Sequence, residues 1–125
     1  MSSLRRVWVI GFSIGAVTHT ADLIRGGLDV YATYAPWWLQ VFFVSLTAID
    51  PLVALLVAVR RPVGVWLGLA VVLVDVPANW VLSWPVDPWW RLVPLTAFGL
   101  VVLVGARNLA RHLSPVQVTS GRSPG

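Results

Sequence analysis

The sequence predicts an all-α fold, an integral membrane four-helix bundle with its N and C termini cytoplasmic, and three observations carry that prediction. Of the 125 residues, 58% are hydrophobic and 11% charged, and the mean hydropathy is +0.80; soluble domains carry charge on about 25% of their positions. Four apolar runs, roughly Leu4–Ile24, Trp37–Val59, Val63–Trp84 and Leu92–Leu109, each approach the ~20 residues a helix needs to cross the hydrocarbon. Arg5, Arg6, Arg60, Arg61, Arg107, Arg111 and Arg122 fall on one side of that plan and Arg25 and Arg91 on the other. The positive-inside bias puts the larger set in the cytoplasm. The net charge of +4 is thus a topology signal, and no nucleic-acid partner is implied. Residues 1–110 make one four-helix domain on this reading, and 111–125, with their Ser, Pro and Gly, a disordered cytoplasmic tail.

The first run, roughly Leu4 to Ile24, is read as a helix rather than a cleaved leader, because it contains His19 and Asp22 and no small-x-small cleavage site follows it. Gly11 and Gly15 form a small-xxx-small face suited to close helix approach, which His19 and Asp22 continue. The loop that follows, Arg25 to Pro36, is turn-rich, and Tyr31, Tyr34, Trp37 and Trp38 read as an interfacial aromatic belt. The second helix carries Gln40, Phe43, Thr47, Asp50 and Ala54 on one stripe, with Pro51 directly after the acid. Arg60-Arg61-Pro62 is short enough to make the second and third helices antiparallel neighbours. The third helix repeats the plan of the first, with Gly64 and Gly68 on its inner half and Asp75 and Asn79 on its outer half. A second outer loop adds Trp89 and Trp90 to the belt. The fourth helix presents Thr96, Gly99, Val102, Ala106 and Ala110 and reads as scaffold.

Chemistry is confined by what the chain lacks. There is no Cys, no Lys and no Glu, so disulfides, thiolate ligands, Cys nucleophiles and Lys Schiff bases are excluded. One intramembrane His with scattered Asp lacks the ligand density of zinc or di-iron sites, so neither metal nor cofactor is implied. What remains is carboxyl chemistry. An Asp near the bilayer centre costs at least ~2.5 kcal/mol, and such a residue is by default a site hypothesis. Asp75 and Asn79 are four apart on one helix face, with Pro77 between them removing a backbone donor and predicting a kink. A plainer role exists for the pair, a polar link between helices, but such links average about 0.6 kcal/mol, and a Ser or Thr would make them without the cost of an acid. His19 with Asp22 is either a hydrated pair near the headgroups or part of the same site. Asp50, deepest of the acids and without an Arg in its own helix, is its expected floor. Counting ~1.5 Å per residue from the outer helix ends places Asp22 about 3 Å deep, His19 and Asn79 about 8, Asp75 about 13 and Asp50 about 20. The sequence therefore predicts one cavity entered from the outer leaflet, with Asp50 and Asp75 catalytic, and with His19, Asp22, Gln40, Thr47, Asn79 and Trp80 binding the ligand.

The segment Ala35-Pro-Trp-Trp-Leu-Gln-Val-Phe-Phe-Val-Ser-Leu-Thr-Ala-Ile-Asp-Pro51 resembles, in its spacing from a leading Trp to a mid-helix Pro, the second helix of EXPERA-type proteins, the superfamily of sterol isomerases and the sigma-2 receptor. The resemblance implies a compact membrane bundle whose acidic residues bind sterol-like cationic or lipophilic ligands, with His19 and Asp22 similar in kind to that group's first-helix pair. The acid it implies midway along the second helix falls near Ser45 rather than Asp50.

Three classes of function compete. The first is a membrane enzyme that isomerises or cyclises a lipophilic, terpenoid-type substrate, with Asp50 as neutral acid and Asp75 as base or cation-stabilising anion. The second is a small proton-coupled transporter with an intramembrane carboxylate as its switch. The third is an accessory subunit whose polar stripes hold a larger membrane partner. The expected partners are a lipophilic small molecule and membrane lipid, with a homodimer or larger complex as the assembly. The expected location is a cell membrane, multi-pass, and the Arg-only, Val/Ala/Gly/Pro-rich usage points to a bacterial inner membrane.

Overall fold

The computed structural model describes residues 3–32, 35–83 and 88–113. It contains four helices long and apolar enough to cross a membrane: α1 (Ser3–Gly26), α2 (Trp37–Ala58), α3 (Pro62–Ser83) and α4 (Val93–Leu113). Short 3-10 turns at Gly27–Asp29 and Trp89–Leu92 lead out of α1 and into α4. The expected helix boundaries agree to within a few residues. The fourth helix continues past 110 through Arg111 to Leu113, and the rest of the expected tail lies outside the described residues.

Local chemistry sets the ends. Pro36, extended at ψ 157°, precedes the first turn of α2, and the Gln40 side-chain amide donates to the Ala35 carbonyl at 2.7 Å, tying the loop to that turn. At the other end of α2, Arg61 N–H donates to the Leu56 carbonyl and Arg60 N–H to that of Val57, the paired bonds of a Schellman motif. The motif requires a left-handed residue, and Arg60 supplies it at φ 65°, at a cost of roughly 1–2 kcal/mol that a glycine would avoid. Pro62 opens α3 in the first turn, where its missing N–H has no helical partner to lose. Pro51 and Pro77 lie inside their helices with exposed rings, and neither ends its helix.

Helix α1 packs mainly on α2, α2 on α3 and α3 on α4, while the α1–α4 seam is thin. The start of α1 and the end of α4 lie at one end of the bundle. There Arg5 donates to the Ala58 carbonyl at 3.3 Å and Arg60 to that of His112 at 3.4 Å, satisfying carbonyls left over at two helix ends. Leu4 fills the space beside Gly105 at the same end. Lipid is as apolar as the core, so burial alone does not drive helices together in a bilayer; close fit does. The fit is tightest around Trp8 and Phe12, whose rings lie 5.8 Å apart, and around Val53, Val57, Val65 and Val102. Gly68 makes it fit: a Cβ there would stand 2.9 Å from both Trp8 and Phe12 and 3.0 Å from Val53.

At the far end Trp37, Trp38, Trp89 and Trp90 are exposed, as a belt requires. Tyr31 is not a belt residue. It is buried, 4% exposed, with its ring centroid 5.2 Å from that of Phe43. Tyr34, the other expected belt tyrosine, lies outside the described residues.

Candidate intramembrane site

The thin α1–α4 seam leaves a cavity of about 600 Å³. It runs beside α1 from Val7 to Asp22, a length of roughly 22 Å at the helical rise. Val7, Ile10 and Ile14 of α1 and Pro94 of α4 form an exposed rim, so the cavity opens sideways along the helices as well as towards the far end. Its back is made by Phe43 and Asp50 of α2, and its opposite wall by Val71, Val72, Asp75 and Asn79 of α3.

The glycines of α1 work differently from the close helix approach the sequence predicts: side chains, not backbones, occupy the space they leave. Phe98 of α4 fills the place where a Gly11 Cβ would stand, and an Asp50 carboxylate oxygen comes within 2.5 Å of the corresponding point at Gly15. Asp50 thereby reaches past α1 into the cavity although it is only 4% exposed.

His19 meets it there. His19 Nε2 is 3.9 Å from Asp50 Oδ2, although their expected depths differ by about 12 Å at the helical rise. Side chains lean towards the N-terminus of their own helix. The two helices are antiparallel, so His19 leans towards the termini and Asp50 towards the far end, and the residues converge. The imidazole lies almost parallel to the Phe43 ring at 6.4 Å, and its Nδ1 is 3.0 Å from the Tyr31 hydroxyl. Tyr31 in turn donates to Asp22 Oδ2 at 2.9 Å. His19, Tyr31 and Asp22 are therefore joined by hydrogen bonds, and Asp50 lies 3.9 Å beyond His19 at the back of the cavity.

Across the cavity, the Asn79 amide donates at 2.8 Å both to Asp75 Oδ1 and to the Asp75 carbonyl. The pair satisfies itself within α3 rather than bridging to another helix. Three other expected binding residues lie off the cavity. Gln40 is engaged with Ala35, and Thr47 keeps a buried hydroxyl with no hydrogen-bond partner among the described residues. Trp80 donates to the Thr96 hydroxyl on α4 at 2.8 Å. Ser45, where the EXPERA-type resemblance implies an acid, donates to its own helix at Val41 and also lies off the cavity.

Two contributors were not read from the sequence, Tyr31 and Arg91. The signal for Tyr31 was the Gly26-Gly27 pair: Gly27 at φ 71° reverses the chain and brings the loop back over the end of α1. Arg91 lines the cavity close to the ring of Trp90, with 5.8 Å from guanidinium to centroid. Among the described residues, Asp22, Asp50, Asp75 and Arg91 share this lining with Thr18, His19 and Asn79 in otherwise aliphatic and aromatic surroundings. Among the described residues no three His, Cys, Asp or Glu are grouped to hold a metal ion.

No family model, curated protein or solved structure matches this chain.

Proposed function

We propose that this protein takes a lipophilic small molecule bearing a basic or hydroxyl group from the bilayer through the α1–α4 opening and performs acid/base chemistry on it between Asp50 and Asp75. One observation carries the reading: both acids line a single, mainly apolar cavity whose rim on α1 and α4 is exposed. A bundle that needed only to hold together could do so without placing two acids where they cost several kcal/mol. The volume lies within the roughly 300–1,000 Å³ usual for small-molecule sites. Asp50 is the acid and Asp75 the base or the anion that steadies a developing cation. An isomerase or terpenoid-type cyclase fits these roles, in keeping with the EXPERA-type resemblance of residues 35–51. Protein purified in mild detergent should then carry a lipophilic amine or alcohol enriched over the surrounding membrane, identified by mass spectrometry. Bulk phospholipid in membrane proportion alone would sink the proposal.

A proton-coupled transporter is the second reading, favoured by the polar chain from Asp50 to Asp22. Substrate flux driven by a pH gradient in liposomes would select it over the enzyme.

The arginine distribution supports termini in the cytoplasm and the Tyr31 end outside, and the Arg-only, Val/Ala/Gly/Pro-rich usage supports a bacterial inner membrane. The chain has no native Cys, so single-cysteine labelling is clean. Asp29→Cys should react with an impermeant maleimide on intact cells and Arg61→Cys only after permeabilisation; the opposite pattern inverts the topology.

A further inference from the structure

We infer that Tyr31 and Asp22 are positioning residues that hold His19 as its Nδ1–H tautomer, leaving a bare Nε2 as the proton acceptor at the back of the cavity. The inference rests on the proposed function only in taking Asp50 as the group that His19 serves.

The count of available hydrogens fixes the tautomer. A phenol has one proton to donate, and Tyr31 gives it to Asp22 at 2.9 Å. The contact of 3.0 Å between the Tyr31 oxygen and His19 Nδ1 must then be donated by the imidazole. A neutral imidazole carries one N–H, so Nε2 has a lone pair, and it faces Asp50 Oδ2 at 3.9 Å. Parallel placement against Phe43 limits rotation of the ring. An isolated histidine prefers the other tautomer; here a buried tyrosine and a carboxylate select against it.

The same chain can move a proton once Asp50 and His19 close their 3.9 Å gap to hydrogen-bonding distance. Asp50 gives its carboxyl proton to Nε2, the Nδ1 proton passes to the Tyr31 oxygen, and the Tyr31 proton passes to the Asp22 carboxylate. Asp50 ends ionised and Asp22 neutral, His19 ends as the Nε2–H tautomer, and total charge is unchanged. Run in reverse, a proton arriving at Asp22 recharges Asp50. The acid at the back of a lipid-facing cavity is thereby connected to the far end, where Asp22 is half-buried and Arg25 exposed.

The test needs no ligand. His112, exposed at the end of α4, is replaced by Gln, leaving His19 as the one histidine to observe by ¹⁵N NMR in lipid nanodiscs across a pH series. Where the ring is neutral, Nδ1 should carry the proton and Nε2 should not. Tyr31→Phe should switch the ring predominantly to Nε2–H, while Asp22→Asn, whose amide oxygen still accepts from Tyr31, should keep Nδ1–H. An Nε2–H ring in the otherwise native protein, an unchanged tautomer in Tyr31→Phe, or a ring doubly protonated throughout the series would each overturn the inference. If no lipophilic compound is retained but the tautomer is as expected, the proposed function fails while the positioning role stands.

Discussion

Gly68→Leu is expected to prevent the half of the bundle nearest the start of α1 from closing, and Gly68→Ala to destabilise it by roughly 1–3 kcal/mol, the usual cost of overpacking. A methyl at 68 would meet Trp8, Phe12 and Val53 all at or under 3.0 Å. Trp8 and Val53 are fully buried and have no room to retreat, and Phe12, although it borders the cavity, is held edge-on to Phe98 with centroids 5.2 Å apart. Because lipid would solvate the separated helices well, no compensating hydrophobic penalty pulls them back. Gly27→Ala is the control, with nothing within 4 Å of its Cβ and only the strain of φ 71° to bear, about 1 kcal/mol. Equilibrium unfolding in mixed micelles should rank Leu far below Ala at position 68. A Gly68→Leu protein as stable as wild type would mean that α1 does not seat against α3 as described.

The features that could be read from sequence are those fixed by helical period and by the cost of polar groups in lipid. Gly64, Gly68, Asp75 and Asn79 share one face of α3 because 100° per residue puts them there, and that face turned inward because lipid rejects an acid. The stripe of α4 from Gly99 to Ala110 is buried for the same reason of period. Stripes do not reveal which neighbour each level of a helix meets. Gln40 and Thr47 share the stripe of Asp50, yet Gln40 is high enough to be used by the loop and Thr47 is turned into packing. Trp80 follows Asn79 by a single residue, and that rotation is enough to carry it from the cavity to Thr96. Tyr31 was missed for a different reason. A belt tyrosine and a site tyrosine have the same local sequence, and only the chain reversal at Gly27 distinguishes them. The depth ranking failed between His19 and Asp50 because it followed backbones, whereas antiparallel side chains lean towards each other.

Asp50→Asn and Asp75→Asn should each lower the affinity for the retained compound by about 10- to 150-fold, the equivalent of one hydrogen bond to a charged group, ~1.5–3 kcal/mol. If the compound is a substrate, turnover should fall by about 10²–10⁴-fold, the usual contribution of a positioned acid or base. Stability should respond in the opposite way. Asp50 is almost fully enclosed and its neighbour His19, neutral as inferred above, is 3.9 Å away, beyond hydrogen-bonding distance. An amide of the same shape removes an acid whose desolvation is poorly repaid, so Asp50→Asn should melt at or above wild type. Asp75→Asn keeps an oxygen for the Asn79 amide, which also retains the Asp75 backbone carbonyl, so α3 has no reason to loosen. Lost binding with unchanged or improved stability is the pattern of residues kept for chemistry, because a group kept for packing loses stability first. If both variants instead hold the compound as wild type does and keep full activity, the acids are not the site. The polar stripes would then be surfaces for a larger membrane partner, as in the accessory-subunit reading.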